Sequence, residues 1–173
     1  GTYRIKISSV GYQTIEREIT LRRNANQDLG NLLMETESIM LQEAVRKDLK
    51  IAISIRRTNG LIVYQAMREG TNLDNVSWMN RKFNTVLRTE VSSLSWFMRL
   101  KENDQTMADK FMDENVYACC GGGFPIRVED AGVIGIILVS GLNHVQDHDF
   151  IIKSLSKYLH MDEVPRISRS DVQ

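Results

Sequence analysis

Asp74-Asn75-Val76-Ser77-Trp78-Met79-Asn80-Arg81-Lys82-Phe83-Asn84-Thr85-Val86 is the stretch on which the reading of this chain turns. Val76, Met79, Phe83, Val86 and Leu87 recur at helical spacing, so one face is apolar, and Thr71 to Asp74 supply capping candidates before it. The opposite face carries Asn80, Arg81, Asn84 and Arg88. Lys82 sits one turn beyond Trp78, within reach of a cation–π contact. Such a face can hold a carboxylate or phosphate. A plainer reading of the same residues is a solvated helix face, with Asp74 or Asn75 as cap and Trp78 as a packing lid.

Working outward, Ile51, Ile53 and Ile55 alternate with Ala52, Ser54 and Arg56, and Leu61 to Ala66 forms a return strand. Between them lies Asn59-Gly60, the strongest short hairpin signal. Ser92-Ser93 opens a second helix through Trp96, Phe97 and Leu100. Val116 to Cys119, Phe124 to Val128 and Val133 to Val139 read as strands. A last helix starting near Asp147 presents Ile151, Leu155, Tyr158 and Leu159 on one face. Upstream, Glu35 to Lys47 reads as a helix covering a sheet face. The first 34 residues differ: Tyr3, Ile5 and Ile7, then Ile15, Ile19 and Leu21, alternate with polar residues as two strands, broken at Val10-Gly11-Tyr12. Arg22 to Asp28 reads as a polar loop, and residues 163–173 as a frayed tail.

Composition removes several classes. The 173 residues hold 42% hydrophobic and 25% charged residues, ordinary for a globular domain. Lys plus Arg and Asp plus Glu both number 22, so no global field recruits nucleic acid or an anionic membrane. No apolar run approaches the roughly 20 residues of a membrane helix. The two cysteines, Cys119 and Cys120, are neighbours, so a structural disulfide between them is disfavoured, and a reducing, cytoplasmic setting is expected. The chain opens on Gly1 without an initiator Met or a signal-peptide pattern, which reads as the start of a fragment.

Three further constellations carry chemistry. Gly121-Gly122-Gly123 before Phe124-Pro125 permits a tight turn that aims amide hydrogens at an anion or admits a planar ligand, although it lacks the Lys and Ser/Thr of a P-loop. A plain structural turn accounts for it equally. Cys119 and Cys120 read as inert thiols, and no four-ligand zinc site is supported. Asp147 reads as a helix cap. His148 is a candidate metal or haem ligand or proton shuttle, and the expected loop from Gly141 to Gln146 separates it from His144.

Together, Asp74-Asn75-x-x-Trp78-x-x-Arg81-Lys82-x-Asn84-Thr85-Val86 with Ser92-Ser93, Gly121-Gly122-x-Phe124-Pro125-Ile126, and Val139-Ser140-Gly141-Leu142 with Asp147-His148 resemble the HbpS/GlcG-like superfamily, in its branch labelled haem-degrading. The resemblance spans residues 48 to 160, within a domain placed at 35–162. It implies an α+β, profilin-like antiparallel five-stranded sheet with helices on both faces, behind a short N-terminal β appendage. It also implies assembly into dimers or larger homo-oligomers, and a haem or small-ligand site. That site would draw on Asn75, Trp78, Arg81, Lys82, Asn84, Cys120, Gly121, Gly122, Phe124, Pro125, Ser140, Asp147 and His148. Members often carry a His where this chain has Cys120. Residues 1–46, through Gly1-Thr2-Tyr3, Val10-Gly11-Tyr12 and Leu41-Gln42-Glu43-Ala44-Val45, resemble the end of a carboxypeptidase-regulatory-like module of TonB-dependent receptors. The functional expectation is small-ligand binding. An enzyme acting on a small anionic substrate through Arg81, Lys82 and His148, and a non-catalytic oligomeric scaffold, are the alternatives.

Overall fold

The computed structural model describes residues 2–7, 15–20, 25–128 and 130–160, with side chains from residue 34 onward. In chain order the elements are β1 (Thr2–Ile7), β2 (Ile15–Thr20), α1 (Ala25–Arg46), β3 (Ala52–Arg57), β4 (Ile62–Met67), α2 (Leu73–Thr89) and α3 (Ser93–Glu102). A short 3-10 turn at Ala108–Lys110 precedes β5 (Gly123–Val128), β6 (Gly132–Ser140) and α4 (His144–Tyr158). The strands form one sheet in the order β2-β1-β5-β6-β3-β4, with every pairing antiparallel.

Strand alternation divides the core between the two faces. Ile53 and Ile55 of β3 and Ile137 and Val139 of β6 pack with Met40 and Ala44 of α1 and Ile151 and Leu155 of α4. Their neighbours Ala52, Ile136 and Leu138 point the other way, onto Met79, Phe83 and Val86 of α2. The periodic residues of α2 thus meet the sheet, while Leu87 stays exposed. Arg56 is the polar member of the α2 face: it donates to Ser54 Oγ at 3.1 Å and Asn80 Oδ1 at 2.7 Å, and lies 5.6 Å from the Phe83 ring centroid. These two bonds let a cation sit in a covered sheet.

The Asn59-Gly60 hairpin forms as expected. Gly60 has φ +89°, and Arg57 N–H donates to Leu61 O at 2.9 Å. The expected helix from Glu35 is present and ends at Arg46, but α1 begins earlier, at Ala25, so it takes in the end of the expected polar loop and the Leu41–Val45 stretch of the receptor-module resemblance. The expected break at Val10-Gly11-Tyr12 and the tail from residue 163 lie outside the described residues.

Two expectations are corrected. The 35–160 part holds four strands, not five, because Val116–Cys119 is not a strand. The second edge of β5 is taken by β1, which pairs Ile5 with Val128 and Lys6 with Arg127. The 116–119 segment therefore has no sheet edge to join and satisfies its backbone on α2 instead. Asn84 donates to Val116 O at 2.9 Å, and Thr85 Oγ1 donates to Ala118 O and accepts from Ala118 N, both at 3.0 Å. Secondly, α4 begins at His144, capped by Asn143, whose side chain accepts from Gln146 N at 3.0 Å. Asp147 is therefore not the cap, and His144 and His148 stand one turn apart on the same helix.

Candidate functional site

The N-terminal half of α2, α3, the 119–120 segment and the junction of β6 with α4 enclose a cleft of about 490 Å³. Its walls include Asp74, Asn75, Trp78, Lys82, Phe97, Cys119, Cys120, Ser140, Gly141, Leu142, His144 and Asp147. The volume is within the roughly 300–1,000 Å³ usual for small-molecule sites.

Lys82 forms the floor. Its side chain is 3% exposed, as is that of Asp147, and Nζ donates to Asp147 Oδ2 at 2.9 Å and to Val139 O at 2.7 Å. Leu142 N–H donates to Asp147 Oδ1 at 3.0 Å. Burial pushes the Asp147 carboxyl above the usual carboxylate range, while Lys82 and the Leu142 and Gly141 amides pull it back. The expected Lys82–Trp78 contact is therefore not made. Arg81 takes that place, its guanidinium 3.9 Å from the Trp78 ring centroid, because Lys82 falls on the sheet-facing side of α2.

The triple glycine exists to let this floor close. Gly122, at φ +106°, has Lys82 Nζ 2.6 Å and Val139 O 2.4 Å from where a Cβ would be. At Gly121 a Cβ would stand 1.9 Å from His144 O. The loop's bonds run into the fold: Val139 N–H donates to Gly122 O at 2.8 Å and Gly123 N–H to Ser93 Oγ at 2.9 Å. Its glycines serve close packing of β6, α2 and α4.

The expected site residues divide between the cleft and its surroundings. Asn75, Trp78, Lys82, Cys120, Ser140 and Asp147 line the cleft. Asn75 also completes the capping box of α2 with Asn72, and its amide reaches Ser140 Oγ at 3.4 Å. Gly121 and Gly122 brace it from behind. Phe124 and His148 are buried, their ring centroids 5.8 Å apart, and burial pushes the His148 imidazole down to about 4. Pro125 lies in β5. Arg81, Asn84 and Arg88 clamp the 110–116 segment, donating to Glu114 O at 3.4 Å, Val116 O at 2.9 Å, and Lys110 O and Phe111 O at 3.1 Å.

The lining also takes in Asp74, Phe97, Cys119, Gly141, Leu142 and His144, which the expected site omits. Asp74 accepts from Trp78 Nε1 at 3.2 Å, and His144 stands edge-on to Phe97 with centroids 5.5 Å apart. His144 had a legible signal in its place beside Asp147; Phe97 had none, being one more apolar helix residue. Both cysteines are free thiols, pushed upward by burial, Cys119 to about 12. Among the described residues no group of three or more His, Cys, Asp or Glu could hold a metal ion, and no helix is long and apolar enough to cross a membrane.

An antiparallel sheet whose strands β3 to β6 lie between helical layers, with a cleft where α2 meets the β6–α4 junction, defines an α+β ligand-site architecture. The model of the family described as haem degrading protein HbpS-like matches residues 34–156, and this chain belongs to that family. A UPF0303 protein of Brucella ovis is 38% identical over 122 residues, covering 70% of this chain and 72% of that protein. A second, from Brucella melitensis biotype 1, is 39% identical with the same coverage. Among solved structures, Ybr137w superposes with a TM-score of 0.68 at 27% identity over 79% of this chain and 80% of its own. The PduOC:heme complex superposes at 0.60 with 13% identity, over 73% and 91%, and HbpS at 0.58 with 13%, over 87% and 97%. At that identity the last two likenesses concern the fold. The match to the family starts at residue 34, so β1 and β2 lie outside it.

Proposed function

We propose that this protein binds a haem-related small ligand in the cleft between α2, α3 and the β6–α4 junction. The observation that carries the reading is that polar, aromatic and thiol side chains from three separate stretches, Asn75 to Lys82, Cys119-Cys120 and Ser140 to Asp147, meet around one 490 Å³ space. Membership of the HbpS-like family and the haem bound by the structural neighbour PduOC support haem as the class of ligand.

The residues present fit such a group. Trp78 and Phe97 offer aromatic walls, and His144 an imidazole donor for iron. Cys120 is the poorer donor, because burial keeps its thiol protonated at neutral pH and iron takes the thiolate. His148 lies behind Gly121 and is not among the lining residues. Haem held there would supply a redox-active iron; the chain's own part is to orient the ring and limit water around it.

The anionic-substrate enzyme has little geometric support. Lys82 is neutralised by Asp147, Arg81 is stacked on Trp78, and His148 stays uncharged down to about pH 4. Self-association has one specific observation in its favour: β4 ends the sheet, and Ile62, Val63 and Met67 on it are exposed without a charged residue in the strand. Sedimentation of the full chain tests it, and a monomer would end that reading.

Titration with haemin, followed at the Soret band, tests the main proposal. A saturable shift at one haem per chain, lost in His144→Ala and retained in Cys120→Ala, is expected. No saturable shift in the wild type would overturn it.

A further inference from the structure

The floor of the cleft also specifies what kind of atom it receives. A lysine ammonium has three hydrogens to donate. Two of those of Lys82 are taken, by Asp147 Oδ2 and Val139 O. No protein acceptor among the described residues takes the third, although Lys82 is buried and lines the cleft. Gly122 lets the ammonium settle against Val139 and Asp147 at the back of the cleft, since a Cβ there would come within 2.6 Å of Nζ. A buried donor without an acceptor costs free energy, which a bound ligand can recover.

The charge at this point decides the ligand class. Asp147 cancels the charge of Lys82, and the two charged groups on Trp78, Asp74 at its Nε1 and Arg81 over its ring, are of opposite sign. An anion entering the cleft therefore meets no net positive charge to offset its loss of water, whereas a neutral acceptor atom meets a donor at little desolvation cost. The walls are aromatic: Phe97, and Trp78 with Arg81 stacked on it at 3.9 Å.

We propose that Lys82 donates its third hydrogen to a carbonyl oxygen or ring nitrogen of an uncharged planar ligand packed on Trp78 and Phe97, with Asp147 setting the preference against anions. The inference rests on the cleft being the ligand site, and not on the ligand being haem. For a haem, whose ring nitrogens hold the iron, only the charge argument carries over: its carboxylates face solvent.

Ligand-observed NMR with 4-quinazolinone, an uncharged bicyclic lactam, and 2-naphthoate, an anion of similar shape, tests this on the full chain. The wild type binds the quinazolinone and not the naphthoate. Lys82→Met weakens quinazolinone binding at least about tenfold, the loss of one hydrogen bond from a charged donor. Asp147→Asn, which leaves Lys82 uncompensated, gains naphthoate binding. The paired variant Lys82→Met/Asp147→Asn removes both charges together and guards against misfolding of either single change; it too loses the quinazolinone. Failure of the wild type to bind quinazolinone, equal binding of both probes, or quinazolinone binding unchanged in the paired variant would overturn the inference. A negative haemin titration beside a Lys82-dependent quinazolinone signal would remove haem and leave this assignment standing.

Discussion

Lys82 of α2 and Asp147 of α4 join the two helical layers around the end of the sheet at 2.9 Å. The residues are 65 positions apart, on helices that pack on opposite faces. An ion pair this far removed from water is costly unless its polar atoms find further partners, and here Asp147 accepts from the Leu142 amide while Lys82 donates to the Val139 carbonyl, which leaves its third hydrogen for the cleft. Removing one partner strands the other. Lys82→Met and Asp147→Asn should each lower unfolding free energy by about 3–5 kcal/mol, and the paired variant by much less than their sum. Chemical denaturation of the three variants reads this directly, and additive losses would show that the pair is not coupled.

His148 gives stability a defined pH dependence. Its imidazole titrates at about 4 in the folded chain, against an ordinary value of 6.5, because burial disfavours the charged form. Between those values the unfolded chain takes up a proton that the folded chain refuses. Stability is therefore complete above the ordinary value and falls as pH drops toward the folded one, by on the order of 3 kcal/mol. Comparison with His148→Leu isolates this contribution from that of Asp147, which burial shifts in the opposite direction. The variant should lose less stability than the wild type between pH 6.5 and 4; parallel curves would contradict the assignment.

Two glycines separate conformational strain from crowding. Gly60 has φ +89° and open space around its missing side chain, so Gly60→Ala should cost about 1 kcal/mol. Gly122 has φ +106° and three atoms within 2.9 Å of its absent Cβ, so Gly122→Ala should cost about 3 kcal/mol, strain plus overpacking. It should also displace Lys82 and abolish cleft binding. Thermal unfolding ranks the two, and equal costs would mean the loop is looser than the structure shows.

Thr85 replaces the missing fifth strand. Its hydroxyl both donates to Ala118 O and accepts from Ala118 N, each at 3.0 Å. Thr85→Val keeps the shape and leaves that backbone pair unmet, at a cost of about 1–3 kcal/mol. Hydrogen exchange at the Ala118 amide should accelerate markedly, with β5 and β6 unaffected. An unchanged amide would place the anchor elsewhere.

What could be read from the chain follows from how local each cause is. The β3–β4 hairpin was legible because Asn59-Gly60 sets its own turn, and α2 because Met79, Phe83 and Val86 carry its periodicity. Val116–Cys119 misled because its composition suits a strand, while the deciding fact, that β1 occupies the β5 edge, involves residues more than a hundred positions away. For the same reason Lys82 looked like a partner for Trp78, its neighbour one turn back, and not for Asp147. Of the expected site, Asn75, Trp78, Lys82, Cys120, Ser140 and Asp147 do surround the cleft. Arg81 and Asn84 share the motif with them because the same helix that lines the cleft must also hold the 110–118 segment. Spacing shows which residues share a helix; it does not show which elements the rest of the chain brings against it.

Anomalous diffraction from crystals of the full chain grown with haemin locates the ligand most directly. The iron should lie in the cleft between Trp78 and Phe97, within bonding reach of His144, with the ring's carboxylates toward solvent. Iron at the exposed His160 or on another surface, with the Lys82–Asp147 cleft empty, would contradict the assignment of this site.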